Sequence, residues 1–248
     1  MHGECTDGHV ATLRQRYGDK KLREAAERRA HLHVQRIPIG NGPGSGRVKF
    51  LLAQMHQNYY FGFSESACIL AGTLLEQGLT YSLGVALDRR GPFAVTHGGE
   101  KRWLQTRQDL LELELVDMLE LAREENIITE GRVLLLAHEL RWIRNMVVHE
   151  KMPLFRDHDA KHLEMKVTKS RRGKVRYARI LLSREEVGDL RHDGRAKGAG
   201  SDWASGELTA YFCVSRTRMV LRHFFNHADT EARNNDESGG SLFLWAES

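Results

Sequence analysis

Residues Thr129–Glu150 read TEGRVLLLAHELRWIRNMVVHE, and the spacing of their apolar side chains decides the fold. At about 100° per residue, Val133, Leu136, Leu140, Ile143 and Val147 fall within a sector of roughly 80°, the stripe of a helix with one face in a core. Arg141, Asn145 and His149 follow one another at spacings of four on the opposite face, and His138 shares their azimuth. Arg144 lies between the faces, with a side chain long enough to swing toward the polar one. Any surface helix carries polar residues opposite its apolar stripe. Guanidinium, carboxamide and imidazole crowded beside Trp142, however, suit the holding of a phosphate better than solvation alone.

Working outward, Asp109–Asn126 reads as a second amphipathic helix, with Leu111, Leu115, Met118, Leu119 and Ala122 inward and its glutamates outward. A further helix is expected from Ser64, a plausible N-cap, through Ala67, Leu74, Leu75, Leu79, Leu83 and Leu87, ending at Arg89-Arg90-Gly91-Pro92. Three consecutive helices with short connections imply an antiparallel bundle. After Pro153 the period shifts to two. Leu163, Met165 and Val167, the turn Ser170-Arg171-Arg172-Gly173, then Val175 and Tyr177 predict a β-hairpin. A polar, glycine-rich loop over 188–206 precedes a last helix at Glu207–Asn226.

The expected fold is therefore all-α: an antiparallel helical bundle with a small β-hairpin insert before the last helix. Residues 1–46 are expected to form a charged, solvated N-terminal helix and a glycine-rich linker, Gly40–Gly46. Residues 47–227 are expected to form the helical domain, with a basic insert at 161–184. Residues 228–248 form a polar tail in which Leu242–Trp245 would dock on the body or on a partner.

A chain of 248 residues can bury one sizeable core. Its three cysteines, Cys5, Cys68 and Cys213, are widely separated and form no Cys-x-x-Cys pair, which suggests neither a disulfide framework nor a thiolate zinc site. There is no membrane-length apolar run and no secretion signal in the first residues, so a cytoplasmic protein without membrane contact is expected. The net charge of +4 is unevenly spread. Between Lys161 and Arg184 nine Lys or Arg face the single acid Glu164, a local +8 that leaves −4 for the remainder. Clustered positive charge on an otherwise acidic body is the footprint of a polyanion contact, because each neutralised phosphate releases counterions. Lys166, Lys169, Arg171, Arg172, Lys174 and Arg176 are the candidate RNA contacts. A solvated basic loop is the plainer reading of the same charges.

Glu139–Glu150 resembles the signature of HEPN domains: an arginine followed by a polar residue, usually asparagine, and a histidine four to six positions beyond the arginine. Here the three are Arg144, Asn145 and His149. Ala67–Leu83, with Leu74-Leu75-Glu76, resembles the family's first core helix, and the acidic helix ending in Asn126-Ile127-Ile128-Thr129-Glu130 resembles the next helix and turn. The resemblance covers about Ser64 to Glu150. It implies a metal-independent endoribonuclease of the bacterial defence or toxin class, acting on RNA as a homodimer, with an antitoxin or defence-system protein as a possible further partner. No cofactor is implied.

The residue types fit that chemistry. Attack by a ribose 2′-hydroxyl needs a base, an acid for the leaving oxygen and positive charge on the phosphorane. His149 can exchange protons near neutral pH, Arg144 can only stabilise charge, and Asn145 can orient the imidazole or bind a phosphate oxygen. One histidine per chain does not readily serve as base and acid together, so a second copy is expected to complete the site. Glu76 on the first core helix should want a partner, with Arg144 or Arg141 the candidates, and Glu76, Arg141 and His138 are taken as supporting residues. The pair His31 and His33 lacks further ligands nearby, and no metal site is expected. The alternative is a HEPN fold without catalysis, an RNA- or nucleotide-binding or dimerisation module. Control by nucleotide transfer onto a tyrosine two residues after the histidine is disfavoured, because that position is Lys151.

Overall fold

The computed structural model describes residues 7–32, 37, 39, 45–97, 100–157, 163–169, 175–180 and 202–238. Its helices are α1 (Asp7–His31), α2 (Ser45–Tyr60), α3 (Ser64–Arg90), α4 (Arg107–Leu110), α5 (Leu115–Glu124), α6 (Gly131–Val148) and α7 (Gly206–Ser238). The strands are β1 (Phe93–His97), β2 (Glu100–Leu104), β3 (Leu154–Asp157), β4 (Leu163–Lys169), β5 (Val175–Ile180) and β6 (Trp203–Ala204). The molecule is thus mostly helical, with an antiparallel hairpin β1-β2 and a four-stranded antiparallel sheet in the order β5-β4-β3-β6.

Helix α3 is the hub, packing against α2, α5, α6 and α7. Its sequence alternates leucines with small residues, so it is apolar nearly all round, and thirteen of its 27 residues are buried. The small residues set how closely neighbours approach. A Cβ added at Gly78 would lie 2.6 Å from Leu221 of α7, and one at Gly72 would lie 2.8 Å from Cβ of Arg144 and closer still to its Cγ. Cys68 and Cys213, 145 residues apart in sequence, are both buried and meet between α3 and α7, where burial and the neighbouring Cys68 thiol push the Cys213 thiol well up.

Several expectations need correction. The hairpin at Leu163–Ile180 forms, but as two strands of a larger sheet. Phe155 on β3 and Met165 on β4 are register partners with no exposure, which gives the hairpin a buried face and makes it part of the core. Ser64 begins α3, yet the cap position is Phe63 and no side chain caps the helix. The second amphipathic helix is broken: α4 opens with a capping box at Thr106 and Asp109 and ends at Leu110, and a turn follows before α5, leaving Leu111 57% exposed rather than inward. The linker is shorter than expected, since Ser45 and Gly46 already belong to α2, and Gly40–Gly44 lie outside the described residues.

Helix α1 is not detached either. Arg28 donates from Nε to Glu207 at 2.6 Å and from a guanidinium nitrogen to the Tyr60 carbonyl at 3.0 Å, and Leu32 is buried, because α1 lies across the start of α7. Helix α7 runs on to Ser238, twelve residues beyond the expected end at Asn226, so much of the supposed tail is helix. Leu242–Trp245 fall outside the described residues. No described helix is long and apolar enough to cross a membrane.

Candidate active site at the end of α6 and a groove on its other face

The apolar stripe read from the sequence is the buried face of α6: Val133, Leu136, Leu140, Ile143 and Val147 are each at most 6% exposed. Helix α6 stops at His149, its C-cap. Glu150 then takes a left-handed conformation, φ 57°, its N–H donating to the Val147 carbonyl at 3.0 Å, while the Lys151 N–H donates to Met146 at 2.9 Å. This is the Schellman arrangement, and it ends the helix with His149 on the surface.

Arg144 lies half-buried with its stem over Gly72, and only a residue without a Cβ allows that approach. One guanidinium nitrogen donates to Asn145 Oδ1 at 3.1 Å, while Nε is buried without a hydrogen-bond partner among the described residues. Asn145 and His149 are exposed. The three predicted residues thus share one helix end, with the arginine anchored and the amide oriented by it.

The supporting residues behave differently. His138 leans onto α5, its Nε2 3.8 Å from Glu120, and burial, helped by Arg141, pulls its pKa below the usual histidine value against the pull of Glu120. It is therefore directed away from His149. Arg141 is half-buried, and its Nε also lacks a hydrogen-bond partner among the described residues. Among the described residues Glu76 makes no ion pair with Arg141 or Arg144. It is half-buried, so solvent satisfies part of the carboxylate, and Arg144 is turned toward Asn145 instead.

Of the basic insert, Lys166 pairs with Asp202 at 3.7 Å on the sheet's outer face, beside an Arg156–Glu164 pair whose guanidinium stacks on Tyr177 at 3.5 Å. Lys166 is thus partly neutralised. Lys169 and Arg176 sit on β4 and β5, while Arg171, Arg172 and Lys174 lie outside the described residues. His33 does too, and among the described residues no group of three His, Cys, Asp or Glu is placed to hold a metal.

The opposite face of α6 carries features that the sequence reading missed. Glu139 is only 5% exposed and lies 3.0 Å from Arg216 of α7, whose guanidinium stacks over Phe212 at 3.6 Å. Burial pulls Arg216 down to about 10 despite the neighbouring carboxylate. Next to this pair, two cavities of about 620 Å³ and 420 Å³ share Arg132, Leu136, Tyr211, Ser215 and Met219 as common wall, and so form one groove between α6 and α7. The sequence signal was available: Tyr211, Ser215, Arg218, Met219, Arg222 and Asn226 recur at helical spacing.

Compared with protein-family models, with curated proteins and with solved structures, the chain finds no match.

Proposed function

We propose that this chain is a metal-independent endoribonuclease of the HEPN type, acting in a toxin or antiphage setting, with Arg144, Asn145 and His149 around the scissile phosphate. The observation that carries the reading is the 3.1 Å Arg144–Asn145 hydrogen bond beside an exposed His149 at one helix terminus. In this reading Arg144 neutralises the phosphorane, Asn145 binds a non-bridging oxygen, and His149 takes the 2′-hydroxyl proton. His149 of a second copy returns a proton to the 5′-oxygen, so cleavage leaves a 2′,3′-cyclic phosphate. An open site on one copy suits this requirement, since two-fold pairing would bring the sets together.

A second reading, a binding module without chemistry, is favoured by one observation: the His149 ring has no hydrogen-bond partner among the described residues to fix its tautomer. Mixed RNA incubated in EDTA with the wild type and with His149→Ala separates the two. Cleavage to cyclic-phosphate ends by the wild type alone supports the nuclease. Intact RNA with both proteins, or cleavage that needs a divalent ion, discards it.

A further inference from the structure

The larger sheet has two edges, and they differ. Strand β6, at one end of the order β5-β4-β3-β6, is two residues long and offers almost no backbone to pair with. Strand β5, at the other end, runs for six residues, and among the described residues no strand but β4 pairs with it. An outer edge of that length presents a row of backbone N–H and C=O groups, a template for another extended chain.

The smaller of the two cavities lies against this edge, as the strand's own alternation shows. Successive residues of a strand point to opposite faces. Ala178 and Ile180 are register partners of the buried Met165 and Leu163, so they belong to the inner face, whereas Tyr177 and Arg179 are partners of Lys166 and Glu164 on the outer face. A cavity resting on one face would touch only one of these pairs. The cavity of about 420 Å³ is lined by all four residues, so it wraps round the outer edge of β5.

Its other walls are helical. Leu135 and Leu136 of α6 and Phe212 and Met219 of α7 line it, and Leu135 and Met219 are 41% and 43% exposed. Large apolar side chains standing open beside a strand edge are what strand addition uses, main-chain hydrogen bonds giving affinity and alternate side chains entering apolar pockets. Charge plays a smaller part, since Arg216 is held by Glu139 at 3.0 Å. Arg132, also in the wall, is exposed, joins no ion pair among the described residues and has Arg216 as a like-charged neighbour, so an acidic group is favoured there.

We propose that the outer edge of β5 binds an extended segment of another protein as a fifth strand, with alternate apolar side chains set against Leu135 and Met219 and an acidic residue beside Arg132. A second copy of this chain is the poorer occupant, because its β5 arrives with its own α6 and α7 beside it. Two strands reading Val-Arg-Tyr-Ala-Arg-Ile, paired antiparallel about their centre, would also set Arg176 opposite Arg179. The inference stands independently of the nuclease reading.

The test is selection of random dodecapeptides displayed on phage against the whole protein, followed by titration of the most enriched peptide by fluorescence anisotropy. Alternating apolar residues with an acid among them are the expected sequence. Leu135→Gln and Met219→Gln should each weaken that peptide about tenfold, and Arg132→Gln about threefold. These side chains stand partly in solvent, so the variants should keep the wild-type urea midpoint. The backbone is tested without changing the protein: two isomers of the peptide, N-methylated at the odd or at the even amides, retain every side chain, and at least one should lose tenfold or more in affinity. Failure to enrich any peptide that depends on Leu135 or Met219, or equal binding by both isomers and the parent, would overturn the assignment. Self-association of the protein that the peptide displaces would do so too, by giving the edge to a second copy.

Discussion

Breaking the Glu139–Arg216 pair should cost far more than replacing it. The two charges lie 3.0 Å apart, with side-chain exposures of 6% and 13%, between the two long helices α6 and α7. Glu139→Ala leaves the guanidinium without this carboxylate in a nearly dry site, a change that costs about 3–5 kcal/mol in buried pairs. Arg216 keeps its stacking on Phe212 at 3.6 Å, worth about 1–2 kcal/mol when desolvated. We therefore expect the lower end, about 3 kcal/mol. Arg216→Met takes this guanidinium from a nearly buried carboxylate and offers no such compensation, so it should cost about 4 kcal/mol. The double replacement Glu139→Leu with Arg216→Met removes both charges and keeps the volume, so it should return to within about 1 kcal/mol of the wild type or exceed it. Urea unfolding monitored by far-UV circular dichroism reads all four proteins, and an unchanged slope licenses comparison of midpoints. If each single change costs less than about 1 kcal/mol, the pair is solvated and the burial argument fails.

Two further outcomes follow from local geometry. Glu150 sits at φ 57° with a Cβ that this region disfavours, so Glu150→Gly should raise stability by about 1 kcal/mol in the same assay, and a loss would mean that the Schellman turn is not the resting end of α6. His56 is shifted from 6.5 to about 4, its charged form being penalised in the fold but not in the unfolded chain. Its contribution is complete above pH 6.5 and is lost as pH falls toward 4, up to about 3 kcal/mol at 1.36 kcal/mol per unit. The wild type should therefore lose more stability between pH 7 and pH 4.5 than His56→Gln does. Parallel loss in both proteins would show that His56 is solvated.

Much of the helical core was legible because its signal is local. The five-residue stripe of α6 and the leucines of α3 are buried as their spacing requires, and so are Leu163 and Met165 of β4. Tyr177, however, pairs with Lys166 on the outer face instead of joining them, and the register shifts between Lys166 and Thr168. Failures came where distant residues decide. Glu139 reads as an ordinary surface carboxylate until Arg216, 77 positions later, is set against it. Gln108–Glu114 has helical composition throughout, yet the capping box at Thr106 starts a helix that ends one turn later. Helix α2 offers only Val48, Met55 and Tyr59 as buried large side chains, too sparse a pattern to stand out. The β1-β2 hairpin was overlooked although Gly98-Gly99 separates its strands, a turn signal of the expected kind. At the candidate site the placing of Arg144, Asn145 and His149 at one helix end was legible, but the support was not: Gly72, not Glu76, positions Arg144.

That last difference makes α6 a helix clamped from two sides, by the Gly72–Arg144 contact with α3 and by Glu139–Arg216 with α7. The two clamps are five residues, about 7.5 Å, apart along the axis, close enough to couple. Gly72→Ala puts a methyl group 2.8 Å from Arg144 Cβ and closer to Cγ, and these atoms belong to the base of the side chain, which cannot swing aside. Better helix propensity returns about 1 kcal/mol, whereas overpacking costs about 1–3 kcal/mol, so net destabilisation is expected. Moving α6 away from α3 relieves the strain, and the intact ion pair to α7 resists that shift. In the Glu139→Leu, Arg216→Met background that resistance is gone, and Gly72→Ala should cost at least about 0.5 kcal/mol less than in the wild type. The added methyl presses on the base of the Arg144 side chain, so in the proposed nuclease reading RNA cleavage by Gly72→Ala should fall and partly recover in the triple variant. Costs that add to within about 0.3 kcal/mol would show that α6 is not held from both sides.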